Sequence, residues 1–182
     1  MSQDGRILKQ LKRGDKDALR QLYEKYSETL KSVAISLVCD ISTAEDCLHD
    51  AFVDFATVAP ALRIHCNLRS YLISCVANKA RDLLRKNARL SDADPVQVSP
   101  AANVDDPSEK LIVDENTRQV FDALVKLPCQ QREVFILHVQ GDLTFREIAE
   151  SLGESINTVQ SRYRYGMEKI KSLLNSEFKN ER

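Results

Sequence analysis

The stretch from Leu143 to Leu174, LTFREIAESLGESINTVQSRYRYGMEKIKSLL, leaves few folds open. Phe145, Ile148, Ala149 and Leu152 recur at the i, i+3, i+4, i+7 spacing of one buried helical face. Gly153 interrupts that run, and Ser155 is placed to cap a second helix. The second helix has its own stripe, Ile156, Val159, Tyr163, Met167, Ile170 and Leu174. Two helices about a glycine-containing turn predict a helix-turn-helix. At 100° per residue, Thr158, Ser161 and Tyr165 fall opposite that stripe, flanked by Asn157, Arg162 and Arg164. Hydroxyl, amide and guanidinium groups can bond to phosphates and to base edges in a major groove. A merely solvated helix would carry glutamate and lysine there, and that composition begins only at Glu168 and Lys169. The face is expected to read DNA.

The remaining sequence predicts an all-α protein of two small helical domains on either side of a flexible acidic linker, with a four-helix C-terminal domain. The 182 residues are 43% hydrophobic, enough for real cores, and they contain only five glycines and five prolines. No run approaches the roughly 18 apolar residues of a membrane span. The charged start MSQDGRILKQLKRGDKD lacks an apolar signal core, so a cytoplasmic protein without membrane insertion is expected. Cys39, Cys47, Cys66, Cys75 and Cys129 lie in or beside apolar helical patterns and are expected to be free thiols. A metal site at Cys47, His49, His65 and Cys66 would need C-x-x-C spacing that is absent, so no metal is expected.

A net charge of −1 conceals a strong asymmetry. Between Arg69 and Arg89 there are six basic residues and one acid, Asp82. Between Ser91 and Asn116 there are seven acids and one base, Lys110. In chain order, residues 6–14 form a short amphipathic lead-in. A helix from Asp15 to about Val38 follows, carrying Leu19, Leu22, Tyr23, Tyr26, Leu30, Val33, Ala34 and Leu37 inward. A break at Asp40–Thr43, capped by Ser42 or Thr43, leads to a helix from Ala44 to Val58. That helix buries Leu48, Ala51, Phe52 and Phe55 and leaves Asp46, His49, Asp50 and Asp54 as an acidic edge. Pro60–Asn67 connects to a helix from Leu68 to Ala88, with Leu72, Val76, Ala80, Leu83 and Leu84 inward and Arg69, Lys79, Arg81, Arg85, Lys86 and Arg89 outward. The helix dipole accounts for basic residues near its C-terminus but not for Arg69 and Lys79, which favours a phosphate-tracking surface. Residues 90–108 contain Pro95, Pro100 and Pro107 among small and acidic residues and read as linker. Expected boundaries are therefore 1–89, 90–108 and 109–182. The last unit opens with a helix over Glu109–Lys126, and Pro128 starts the next, CQQREVFILHVQ, whose His138 sits among apolar neighbours and is expected to be packed.

Taken together these residues resemble a bacterial RNA polymerase sigma factor of the extracytoplasmic-function (ECF) type, over Asp15–Arg89 and Glu109–Leu174. Leu-Pro, Arg-Glu-Val-Phe and Asn-Thr-Val-x-Ser-Arg occur in the family's order in LPCQQREVFILHVQGDLTFREIAESLGESINTVQSRYRYGMEKIK. AEDCLHDAFVDF resembles the family's core-polymerase-binding helix, and NLRSYLISCVANKARDLLRK resembles the helix that opens the −10 element. Tyr71 stands where the family usually has tryptophan, and RIHCN lacks the usual aromatic or glycine-rich pattern.

The resemblance implies that Asp46, Asp50, Phe52 and Asp54 meet core RNA polymerase. It implies that Asn67, Arg69, Tyr71, Asn78, Lys79 and Arg81 take promoter DNA at −10, with an unstacked base held by residues 63–71. It assigns −35 recognition to Asn157, Thr158, Gln160, Ser161, Arg162, Arg164 and Tyr165, with Arg146 on phosphates. An anti-sigma partner is implied as well. No cofactor and no enzymatic activity are expected, since no nucleophile–base set or phosphate-binding glycine loop occurs. Two rivals remain. A stand-alone helix-turn-helix regulator explains residues 109–174 but leaves the DCLHDAF and NKARDLLRK helices without a purpose. A protein-only adaptor would not need the arginines of the last helix.

Overall fold

Polar residues at helix ends set the register of the first half. In the computed structural model, which describes residues 3–61, 67–90 and 115–180, helix α1 spans Gln3–Leu11. Helix α2 spans Lys16–Val38, and Asp15 caps it by accepting the Asp17 N–H at 2.9 Å. Cys39 ends α2 in the left-handed conformation, φ 57°, with its N–H returning to Ile35 O. Helix α3 then starts at Ile41 and runs to Val58, three residues earlier than the sequence suggests. Asp40 is the cap in place of Ser42 or Thr43, accepting the Thr43 N–H at 2.7 Å. A 3-10 turn at Ala59–Ala61 follows, then helix α4, Leu68–Leu90, opened by Asn67 accepting the Arg69 N–H.

Helices α2, α3 and α4 pack pairwise around one core. Leu22, Leu30 and Val33 of α2 meet Leu48, Ala51 and Phe55 of α3 and Leu72, Ile73, Val76 and Ala80 of α4, all buried. Helix α1 lies on α2 through Ile7 and Leu11, tied by Asp4, which takes Lys25 Nζ at 2.6 Å and Tyr26 Oη at 2.8 Å. Tyr23, expected in the core, is half-exposed and leans its ring on Phe52, centroids 4.9 Å apart.

The second half is a four-helix unit: α5 (Glu115–Val125), α6 (Cys129–Val139), α7 (Phe145–Leu152) and α8 (Ile156–Asn180). Pro128 takes the cap position before α6 rather than its first turn. Helix α8 packs against each of the other three. Its inward residues Val159 and Ile170 join Leu124, Val134, Ile136, Leu137, Leu143 and Ile148 in the core. Ile156, placed by periodicity in the same stripe, is exposed at the start of α8. His138 stacks on Phe145 (4.4 Å) with Tyr163 edge-on (4.9 Å), and its Nδ1 lies 2.8 Å from Leu143 O. A carbonyl only accepts, so Nδ1 carries the proton and donates.

Among the described residues all regular structure is helical, and no helix is long and apolar enough to cross a membrane. The expected linker, the start expected for the 109–126 helix and loop residues 62–66 lie outside the described residues. The two halves meet where α6 packs on α2 and α4.

Candidate nucleic-acid interface

The C-terminal face rests on two locally specified helix starts. Thr144 and Glu147 form a reciprocal cap at α7: the Glu147 N–H donates to Thr144 Oγ1 (3.3 Å) and the Thr144 N–H to Glu147 Oε2 (2.8 Å). Gly153 closes α7 at φ 65°, a left-handed turn that suits glycine. Ser155 then accepts the Thr158 N–H at 3.0 Å and exchanges a hydroxyl bond with Thr158 at 2.8 Å, fixing the start of α8. Along α8, Asn157, Gln160, Arg164 and Tyr165 are exposed, and Thr158, Ser161 and Arg162 are half-buried beside them. The Arg164 guanidinium lies 5.2 Å from the Tyr165 ring centroid, and Arg162 is held by Glu154 at 2.8 Å. Arg146 is exposed on α7. Buried Val159 anchors this face, so its donors stand on a rigid element.

On α4 the named residues divide by depth. Asn67 and Asn78 are exposed, while Arg69, Tyr71, Lys79 and Arg81 are half-buried. Tyr71 packs its ring toward Phe55, centroids 6.0 Å apart. Lys79 pairs with Asp54 of α3, whose carboxylate raises the lysine pKa. A residue expected to face polymerase and one expected to face DNA are thus neighbours. Asp46 and Asp50 are exposed on α3. Beside them an open groove of about 920 Å³ runs between α2 and α3, lined by Leu19, Tyr23, Leu48, His49, Phe52 and Val53. Phe52 is buried on the floor of this groove. The residues of loop 62–66 named for base capture lie outside the described residues.

The structure adds a group that periodicity could not find. Arg69 donates to Gly141 O (2.8 Å) and Gln140 O (2.9 Å) at the end of α6. Arg81 grips Glu133 Oε1 through Nε (2.9 Å) and NH2 (2.7 Å), with NH1 on Asn78. Gln140 reaches Ser36 at 3.1 Å, and Arg132 NH1 lies 3.4 Å from Cys39 Sγ. The pairs that join the two halves are 52 to 104 residues apart in sequence, so no local pattern announces them. Burial pushes the Cys39 and Cys129 thiols up, and the Arg132 charge opposes the rise. No cluster of three metal-ligating side chains occurs among the described residues.

Two family models match, sigma-70 region 2 over residues 22–90 and sigma-70 region 4 over residues 117–170. The chain belongs to the sigma-70 family. Its relatives there include proteins named as ECF RNA polymerase sigma factors. The ECF RNA polymerase sigma factor SigW of Bacillus subtilis is 23% identical over 176 residues, covering 92% of this chain and 94% of SigW. The RNA polymerase sigma factor CarQ of Myxococcus xanthus is 27% identical over 168 residues, covering 88% of this chain and 91% of CarQ. Among solved structures, the sigma factor RpoE in complex with the anti-sigma factor NepR from Bartonella quintana superposes with a TM-score of 0.70 at 24% identity, covering 86% of this chain and 96% of that one. CnrH in complex with the cytosolic domain of CnrY gives 0.65 at 24% identity, covering 93% and 96%. In this sigma-70 chain the region 2 match contains α3 and α4, and the region 4 match covers α7 and α8 as far as Ile170.

Proposed function

We infer that this chain is an ECF sigma factor that binds core RNA polymerase and directs promoter-specific initiation of transcription. The observation that carries the reading is the presence of both sigma-70 regions in one chain, in the order region 2 then region 4. In this reading residues 1–89 bind polymerase and open the −10 element, 90–108 link, and 109–182 read the −35 element. Helix α8 enters the major groove with Asn157, Thr158, Gln160, Ser161 and Tyr165 toward base edges. Arg146, Arg162 and Arg164 hold phosphates.

Asn67, Arg69, Tyr71, Asn78, Lys79 and Arg81 contact the −10 strand, where capture of an unstacked base offsets an unstacking cost of a few kcal/mol. Asp46, Asp50 and Asp54 present the acidic edge of α3 to the polymerase, and Phe52 supports it from below. The protein acts in the cytoplasm, performs no covalent chemistry itself, and takes an anti-sigma protein as a partner, as RpoE is found in complex with the anti-sigma factor NepR.

Run-off transcription with core polymerase on a library of randomised promoters tests this. Transcripts should come from templates sharing two sequence blocks; Arg162→Ala with Arg164→Ala should weaken transcription from all of them, and Gln160→Ala should relax the preference within the upstream block. A base-reading pair accounts for roughly 1–3 kcal/mol of discrimination. Tight promoter binding by the chain alone, with no polymerase-dependent transcript, would sink the reading in favour of a stand-alone regulator.

A further inference from the structure

We propose that Cys129 and Cys39 form a reversible disulfide, tying the start of α6 to the end of α2 when a peroxide oxidises the chain. The cross-link stands on the surroundings of the two thiols. Only its consequence for transcription rests on the sigma reading above.

Two cysteines from opposite halves share one guanidinium. Cys39 Sγ lies 3.4 Å from Arg132 NH1, although the two residues are 93 apart in sequence. Cys129 is the first residue of α6, one turn before Arg132, and its thiol bonds to the same side chain. The charge of Cys129 is felt at Cys39, so the two sulfurs are neighbours where α6 packs on α2. Neither backbone nor core asks for this pair. Cys39 sits at φ 57°, where glycine fits and a Cβ is strained. Arg132 is 1% exposed, yet its Nε and NH2 have no hydrogen-bond partner. A buried cation without a matched anion is unfavourable, and a thiolate beside it supplies one.

The surroundings divide the labour between the thiols. Cys129 is half-buried and is the one a small oxidant reaches, whereas Cys39 is 2% exposed and serves as the resolving thiol. Burial pushes both thiols up, which makes the reaction slow, and the Arg132 charge opposes the rise at both sulfurs. The Cys129 thiolate attacks one peroxide oxygen, the O–O bond breaks, and the departing hydroxide takes the thiol's proton as water. The Cys39 sulfur then attacks the Cys129 sulfenic acid. The S–S bond forms, the S–O bond breaks, and a second water leaves with the Cys39 proton. Two thiols thus lose two electrons and two protons, and one peroxide becomes two waters. In a reducing compartment a small thiol reverses the bond, so it is transient. On the sigma reading the halves take two separate promoter blocks, and a bond between residues 39 and 129 hinders that.

The test treats the reduced full chain with hydrogen peroxide, removes the peroxide, digests without reductant and maps the peptides by mass spectrometry. A peptide joining Cys39 to Cys129 is expected, lost on adding dithiothreitol, while Cys47 stays unlinked in the N-terminal core. Cys39→Gly, whose glycine suits the left-handed turn, and Cys129→Ser should each give no such peptide. In run-off transcription with core polymerase, the oxidised chain should yield about tenfold less transcript, within the usual range of coupling between sites. Dithiothreitol should restore the yield, and both variants should transcribe fully with or without peroxide treatment.

Absence of the linked peptide, even where Cys129 reaches sulfinic acid, overturns the proposal. So does a link found only between two chains, or a linked chain that transcribes as well as the reduced one. A reduced chain that gives no transcript sinks the sigma reading instead, and the peptide map still decides the cross-link.

Discussion

Two glycines of the C-terminal domain should respond to the same substitution with opposite signs. A Cβ added at Gly141 would lie 2.4 Å from Leu137 O and 3.0 Å from Leu143 Cδ1. The carbonyl cannot retreat freely, because it accepts the Leu143 N–H at 3.1 Å, and Leu143 is 1% exposed. Relief therefore breaks that bond, worth roughly 1 kcal/mol, and unseats part of a buried leucine, costing about 2 kcal/mol more. Gly141→Ala should lose about 3 kcal/mol in all.

At Gly166, inside α8, the nearest atom to an added Cβ is Gln131 Cβ at 3.5 Å, an ordinary contact. Gly166→Ala should gain up to about 1 kcal/mol from helix propensity alone. Urea unfolding of the full chain, followed by far-UV circular dichroism, measures both. Shifts of the same sign, or a Gly141→Ala change below about 0.5 kcal/mol, would refute the steric argument.

Other expectations are as direct. Thr144→Ala removes the side-chain half of the α7 cap and should cost about 1 kcal/mol in the same urea assay, with a parallel loss of −35-dependent transcription. Phe55→Ala empties a site 1% exposed at the centre of the first domain and should cost roughly 3–5 kcal/mol; a loss under about 1 kcal/mol would contradict the packing described. Thr43, through its hydroxyl and then its N–H, holds the Asp40 carboxyl below its usual range. That stability is present above the unfolded pKa, roughly 4, and fades as pH falls through the lower folded value, so Asp40→Asn should flatten the acid limb of a melting-temperature profile. Burial, with Asp50 and Asp46 adding to it, pushes the Cys47 thiol up to about 11. Its contribution is complete below the unfolded value, about 8.5, and is lost as pH rises through 11, so Cys47→Ala should reduce alkaline destabilisation.

Much of this architecture is legible in the sequence because it is local. The helix-turn-helix depends on a cap, a left-handed glycine and a second cap within a dozen residues, and each is a side-chain type at a fixed offset. Helices α2 and α4 follow from apolar periodicity over more than five turns. Helix boundaries are less legible where several side chains compete to cap: Asp40 prevails over Ser42 and Thr43 because its carboxylate reaches the Thr43 N–H, lengthening α3 by a turn. Tyr23 and Ile156 fit their stripes but lie at the margins of their bundles, where periodicity fixes a direction and tertiary packing decides burial. The contacts of Glu133, Gln140 and Ser36 were not legible, since nothing within a helix turn of them depends on the pairing.

The outer face of α8 has a further consequence. Gln160, Arg164 and Tyr165 are exposed, while the fold is held from the opposite side by Val159 and Ile170. Substitutions at such exposed positions usually change stability by less than about 0.5 kcal/mol. On the proposed reading, sequence preference and folding are therefore written on different sides of one helix and would drift independently. A duplicated copy could acquire a new set of target genes by altering a few of these side chains, without rebuilding the core beneath them.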